Sequence, residues 1–320
     1  MSRALVLGFA LLWVGCGDDD APVDGGGDAP VDGGLDGGLD GGGDAEPDAE
    51  RDAATDASAD AGRDAEAPTR PFVDTYAGGM IVGREPDLPG AHPVFLFVGD
   101  RGAPHDSALA LAWIDAMARA GFVSAALQYM DAGAADCTAL RAKAGVVFMG
   151  GLDQICGRAR SDCTRGIVTA GHGQGGWIAL LAHDVDLDVD AAFATHVGTD
   201  PESGPSVQTC IATERTQPFS RIRIVNGESD DAWGPGMRAQ LNQITRSDCA
   251  AGITDCLAGD GSGWYLAPDA EVGDGTADRC FFTRSDGVMP CASPLDPAWV
   301  STSARWGLAA SVEWLASFRR

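Results

Sequence analysis

The chain has 320 residues, 45% of them hydrophobic, and carries 47 acidic against 22 basic side chains for a net charge of −25. That balance excludes binding that rests on neutralising nucleic-acid phosphates. The length allows one large domain beside non-globular sequence, and nine cysteines point the reading toward redox compartment.

The chain opens MSRALVLGFALLWVGCG. Arg3 precedes an apolar run from Ala4 to Val14 that is too short to span a bilayer as a helix, so residues 1–17 read as a secretory signal. Its end, WVGC, resembles the lipobox of bacterial lipoproteins: Gly15 precedes Cys16, which the resemblance makes the lipidated first residue of the mature protein. Trp13 stands where that motif carries leucine, and an ordinary secretory signal cleaved nearby is the competing expectation. The lipid reading implies an exported protein held at the outer membrane or cell surface by acyl chains, with no transmembrane helix needed.

From residue 18 to residue 68 the composition changes to Asp, Gly and Ala. Aspartate recurs at every fourth position from Asp20 through Asp64, but DGGGDAPVDGGLDGGLDGGGD holds too much glycine to form a helix. The expectation is a disordered linker with a reach of about 40 Å. Here 14 Asp and 3 Glu against 2 Arg leave −15, so most of the acidity belongs to a tether. The spacing matches neither an EF-hand loop nor the glycine-rich calcium repeat.

Residues 69–320 form the folded domain of this reading. Periodicity predicts a buried strand over His92–Gly99, an amphipathic helix over Ala108–Gly121, and a strand over Phe122–Tyr129. A helical stretch near 137–156, the strand GIVTAG, a Gly-rich turn, a helix over 176–185 and a strand over 189–198 follow. The strand RIRIVNG, a helix near 236–244, the strand GWYLAP and a closing helix over 303–318 complete the order. Strands alternating with helices imply an α/β fold, a doubly wound, mostly parallel sheet flanked by helices.

Setting Cys16 aside leaves eight cysteines. Cys156 lies close to Cys163, Cys249 to Cys256 and Cys280 to Cys291, leaving Cys137 and Cys210. This sequential pairing is the simplest of about 105 connectivities. An even set in an exported chain points to disulfides.

The turn between the strand GIVTAG and the helix after it reads GHGQGG. Strand, tight turn and helix are the setting of a nucleophile elbow, GxSxG, with Gly173 at the serine position. Together with VNGESDD, APDAEVGD and the order of elements, this turn resembles the α/β-hydrolase family of esterases and lipases across residues 71–320. The resemblance implies a triad in the chain order Ser, Asp or Glu, His, and places it at Gly173, at Asp230 (Asp231 the fallback) and at Val272. It implies oxyanion N–H donors at Gln174 and at Arg101 or Gly102, with His172 and His196 bordering the pocket.

None of the five histidines follows Asp230. Serine attack needs a base and an acid to orient it, so the expected protein is a catalytically inactive, surface-anchored relative that binds a small ester-like ligand, a lipid or a protein. The alternative is an active secreted carboxylic-ester hydrolase with a non-standard site, and a histidine brought within reach of Asp230 discriminates in its favour. A zinc site from His105, His172 and His196 is imaginable, but nothing in their spacing enforces convergence, and no metal or cofactor is expected.

Overall fold

A computed structural model describes residues 68–129, 136–198, 210–284, 291 and 294–320. The signal, Cys16 and the linker lie outside the described residues. Among the described residues there are nine strands: β1 (Thr69–Tyr76), β2 (Gly79–Pro86), β3 (Val94–Val98), β4 (Val123–Leu127), β5 (Ile167–His172), β6 (Val189–Thr195), β7 (Ile222–Gly227), β8 (Asp255–Leu257) and β9 (Gly263–Ala267). They form one mixed sheet in the order β1-β2-β4-β3-β5-β6-β7-β9-β8. The six strands from β4 to β9 along that order pair in parallel, while β1, β2 and β8 add antiparallel edges.

The parallel strands are apolar because both of their faces are covered. Every residue of β3, β4, β5, β6 and β7 is buried. Alternate side chains enter two cores. Val94, Leu96 and Val98 of β3 join the core that holds Leu140, Ile178 and Leu241. Phe95 and Phe97 join the core that holds Trp113, Trp299 and Leu315. The α-helices are α1 (Ala108–Arg119), α2 (Cys137–Gly145), α3 (Asp153–Cys156), α4 (Gln174–Leu180), α5 (Ala182–Val185), α6 (Met237–Thr245), α7 (Pro297–Ser301) and α8 (Leu308–Ala316) among the described residues. The first core lies against α2, α4 and α6, and the second against α1, α7 and α8.

The predicted helices have local causes. Ser107 caps α1 by accepting the Ala110 N–H, and Leu109, Ala110, Trp113, Ile114 and Met117 supply a buried stripe at helical spacing. Asp136 caps α2 through the Ala139 N–H at 2.8 Å. The stretch 137–156, read as one helix, is α2, a π-helical segment Val146–Leu152 and α3 in succession. The closing helix starts later than expected, at Leu308. The reading of the sequence found neither β1 and β2 nor β8: the first two are half-exposed strands interrupted by Pro71 and Gly83, and the third has three residues.

Three of the four cysteine pairs form disulfides, Cys156–Cys163, Cys249–Cys256 and Cys280–Cys291. Cys137 and Cys210 are not joined in this structure. No helix among the described residues is long and apolar enough to cross a membrane.

The crossing of β5 and α4 over the end of β3 positions the site. A Cβ on Gly171 would lie 2.2 Å from the Gly175 carbonyl oxygen, and one on Gly175 would lie 2.1 Å from that of Val98. These obstacles are backbone and cannot rotate away. Gly175→Ala is therefore expected to cost about 2 kcal/mol of stability, the scale of an overpacked core, seen as a lower urea midpoint with little change in m-value.

Candidate active site

The parallel strands end on one edge of the sheet, where α/β folds gather their functional groups. Asp100 lies two residues beyond β3, Gly173 one beyond β5, His196 one beyond β6 and Asp230 three beyond β7. Since β3, β5, β6 and β7 are successive neighbours in the sheet, these four positions are brought together although 130 residues separate the first from the last.

Gly173 sits in a tight strand-to-helix turn with φ 56° and ψ −126°, a conformation that strains any residue with a Cβ. Its N–H donates to the Thr195 carbonyl at 2.9 Å, fixing the turn to the end of β6. The space that a side chain would fill is already occupied. A Cβ on Gly173 would lie 2.2 Å from Asp100 Oδ1.

That same Asp100 oxygen accepts the Gln174 N–H at 2.7 Å, and the carboxylate takes a second backbone hydrogen bond from Arg101. These are two of the expected oxyanion donors, and the chain's own carboxylate engages them in place of a ligand oxygen. Arg101 and Gly102 are exposed in the turn closed by the Ala103 N–H on the Asp100 carbonyl, with Gly102 at φ 76°. Burial raises the Asp100 carboxyl above its ordinary value, opposed by the Gln174 and Arg101 amides and by the attraction of His196.

The histidine expected after the last strand comes instead from the end of β6. His196 Nδ1 lies 2.6 Å from Asp230 Oδ2, and the two side chains are 10% and 0% exposed. This corrects the view that no histidine serves Asp230. His196 follows β6 in a left-handed conformation, φ 51°, at the strand end adjacent to β7. Asn226 of β7 locks the next residue, donating to the Val197 carbonyl at 2.8 Å and accepting the Val197 N–H at 3.1 Å. With Nδ1 as the donor to Asp230, Nε2 is left as the basic nitrogen, the tautomer that a general base requires.

Val272 is not part of this arrangement: it is 6% exposed and packs in the apolar core with Phe281, Phe282 and Trp306. Asp231, the fallback acid, is exposed and pairs with Arg279 at 2.6 Å. His172 is a buried neighbour. Its Nδ1 meets Thr195 Oγ1 at 3.0 Å, its ring packs edge-on to Phe282, and the ring of His196 is centred 5.4 Å away. Burial, and secondarily His196, holds His172 well below the ordinary imidazole range. Trp233 packs on His196 at 5.3 Å, its indole N–H buried without a protein partner, and the Gln174 side-chain oxygen is likewise unpartnered.

Two cavities meet at Asp100. One, about 150 Å³, is lined by Phe97, Pro104, Leu109, His172 and Phe282 and is mostly apolar. The other, about 350 Å³, is lined by His105, Asp106, Gln128 and Tyr129. Among the described residues no group of three or more His, Cys, Asp or Glu is placed to hold a metal ion. Sequence reasoning missed Asp100 and Asn226. The signal for Asp100 was an acidic residue directly after VFLFVG, in the loop from which an oxyanion donor was expected.

No protein-family model matches the chain, and no curated protein matches it. Among solved structures it is similar to a hypothetical protein from Pseudomonas aeruginosa, at 20% identity and a TM-score of 0.34, over 46% of this chain and 46% of that one. The match thus spans less than half the length of that structure, and it carries no functional argument.

The buried neutral His172 has a consequence for stability. Below pH about 6.5 the unfolded chain protonates this histidine while the folded chain does not, so the unfolded state binds more protons. Stability is expected to fall between pH 7.5 and 5.5, by at most about 1.4 kcal/mol per pH unit from this group. The raised Asp100 carboxyl acts in the opposite sense nearer pH 4. Urea midpoints measured at three pH values check this, and His172→Asn should flatten the slope.

Proposed function

We propose that the chain is an exported hydrolase of the α/β-hydrolase type, acting on small ester-like substrates through the Asp230–His196 pair and the Asp100 carboxylate. The observation that carries the reading is the 2.6 Å His196–Asp230 contact on the same strand-end edge as a carboxylate lodged in the elbow. The strand order and the strand–turn–helix at Gly173 support the family assignment, which rests on the resemblance read from the sequence. The lipid anchor at Cys16 and the tether remain part of the proposal, on residues 1–68. The three disulfides are compatible with an oxidising compartment.

The chemistry follows from the placement. Asp100 Oδ1 accepts the Gln174 N–H, leaving Oδ2 as the nucleophilic oxygen. Oδ2 attacks the acyl carbon of the bound ester, a new C–O bond forming as the bond to the departing oxygen breaks, and the departing oxygen takes its proton from solvent water, so that His196 Nε2 stays unprotonated for the second step. The covalent Asp100 adduct is then opened by a water that His196 deprotonates, with Asp230 orienting and stabilising the imidazolium. Oxyanion character in the second step develops on the oxygen already facing the Gln174 N–H. The small apolar cavity beside Asp100 suits a short acyl or alkyl group, and the larger one, with His105, Asp106 and Gln128 on its wall, suits the remainder of the substrate.

A second reading has its own observation: Asp100 fills the donor site that would hold a substrate oxygen, as a plug in an inactive binding protein would. The two readings separate in one experiment. Hydrolysis of p-nitrophenyl acetate and butyrate by the full chain is expected, with Asp100→Asn, His196→Gln and Asp230→Asn each losing at least about 100-fold in kcat/KM. A silent wild type combined with turnover in an Asp100→Ala, Gly173→Ser double variant would favour the plug, since that variant removes the obstructing carboxylate and restores a serine beside His196. Gly173→Ser alone should fail in either case, because its Cβ meets Asp100.

A further inference from the structure

The two free thiols stand on matching positions of two neighbouring segments. Cys137 begins α2, and Cys210 begins a π-helical segment, Cys210–Glu214. Four residues on in each, Arg141 and Glu214 form the next rung. Arg141 Nη1 lies 3.2 Å from Glu214 Oε2, and Nη2 donates to the Glu214 carbonyl at 3.3 Å. The Cys137 thiol reaches the same Glu214 carboxylate at 4.0 Å and neighbours the Cys210 thiol. Cys210 is fully buried in the first core, and Cys137 packs against that core half-buried.

We propose that Cys137 and Cys210 are the two halves of a fourth disulfide, closed after export, that staples α2 to the segment Cys210–Glu214. The 72 residues between them include Gly173 and His196, so the bond closes a loop that contains both of those strand-end positions. α2 packs on α4 behind the elbow, and the Cys210–Glu214 segment packs on α6. The bond would therefore tie together the helical layer on that face of the sheet.

The closing reaction is thiol–disulfide exchange with the disulfide of an exported oxidoreductase. The Cys137 thiolate attacks one sulfur of that disulfide, whose other sulfur leaves as a thiolate. The Cys210 sulfur then attacks Cys137 Sγ in the mixed disulfide and expels the second oxidoreductase sulfur. Two protons leave the cysteine pair and two electrons reduce the oxidoreductase. Cys137 is the entry thiol because it is the more exposed, whereas Cys210 is buried and burial pushes its thiol up.

The test reads covalent state and is independent of catalysis. The full chain, exported and purified without reductant, is alkylated under denaturing conditions, digested and mapped by mass spectrometry. The expected result is a peptide pair joined through Cys137 and Cys210, about 2 Da lighter than the two thiol peptides together. Alkylation of both cysteines while the other three pairs stay closed would overturn the proposal, as would a link from either cysteine to a different partner. Cys137→Ser and Cys210→Ser should each lower Tm by about 5–10 °C, and the double variant should lower it no further than either single. Additive losses would mean that the two side chains contribute separately and share no bond.

Discussion

The close crossing of three backbone segments at the end of β3 is the constraint on which the site depends. Gly171, Gly173 and Gly175 leave no room for a Cβ toward the Gly175 carbonyl, Asp100 and Val98 respectively. Glycine at these three alternate positions lets α4 start almost on top of β3, and that approach delivers the Gln174 N–H to the Asp100 carboxylate. A serine at position 173 and a carboxylate from the β3 loop are sterically exclusive. The chain has taken the second option, and the left-handed turn at Gly173 is correspondingly unstrained.

The electrostatics of the edge follow from that choice. A carboxylate brought into a half-buried elbow loses hydration, and its ionised form is sustained by two backbone amides and by the attraction of His196. Asp230, with a fully buried side chain, needs a partner as well, and the imidazole Nδ1 supplies it. The two acidic groups thus flank one histidine, Asp230 by a direct hydrogen bond and Asp100 by charge. His172, enclosed beside Thr195 and Phe282, has no such carboxylate contact and is kept neutral by burial. Two histidines with ring centres 5.4 Å apart therefore carry different roles, one a base with an acid behind it and one a packing element.

Much of the architecture was legible in the linear pattern. The continuous apolar runs VFLFV, VSAAL and IRIV can only be strands covered on both faces, and each became one. The helical spacing of ALALAWIDAMARAG marked α1 before its cap, Ser107, was seen. Short cysteine separations of 7, 7 and 11 residues marked the three closed disulfides. β1 and β2 escaped notice because their alternation is weak and interrupted by Pro71 and Gly83, and β1 lies at the sheet edge with β2 as its neighbour.

The site was less legible, for a physical reason. The sequence alone determined the Gly-rich turn at Gly173, the acid after β7 at Asp230 and the order of elements, since each is a local property of spacing and residue type. Only the tertiary structure decided that His196 meets Asp230, that Val272 belongs to the core and that Asp100 fills the elbow. Those relations are set by which strands are neighbours in the sheet. The order β4-β3-β5-β6-β7 places the ends of β3 and β5 side by side, and likewise those of β6 and β7, and such proximity leaves no trace in the distance between residues along the chain.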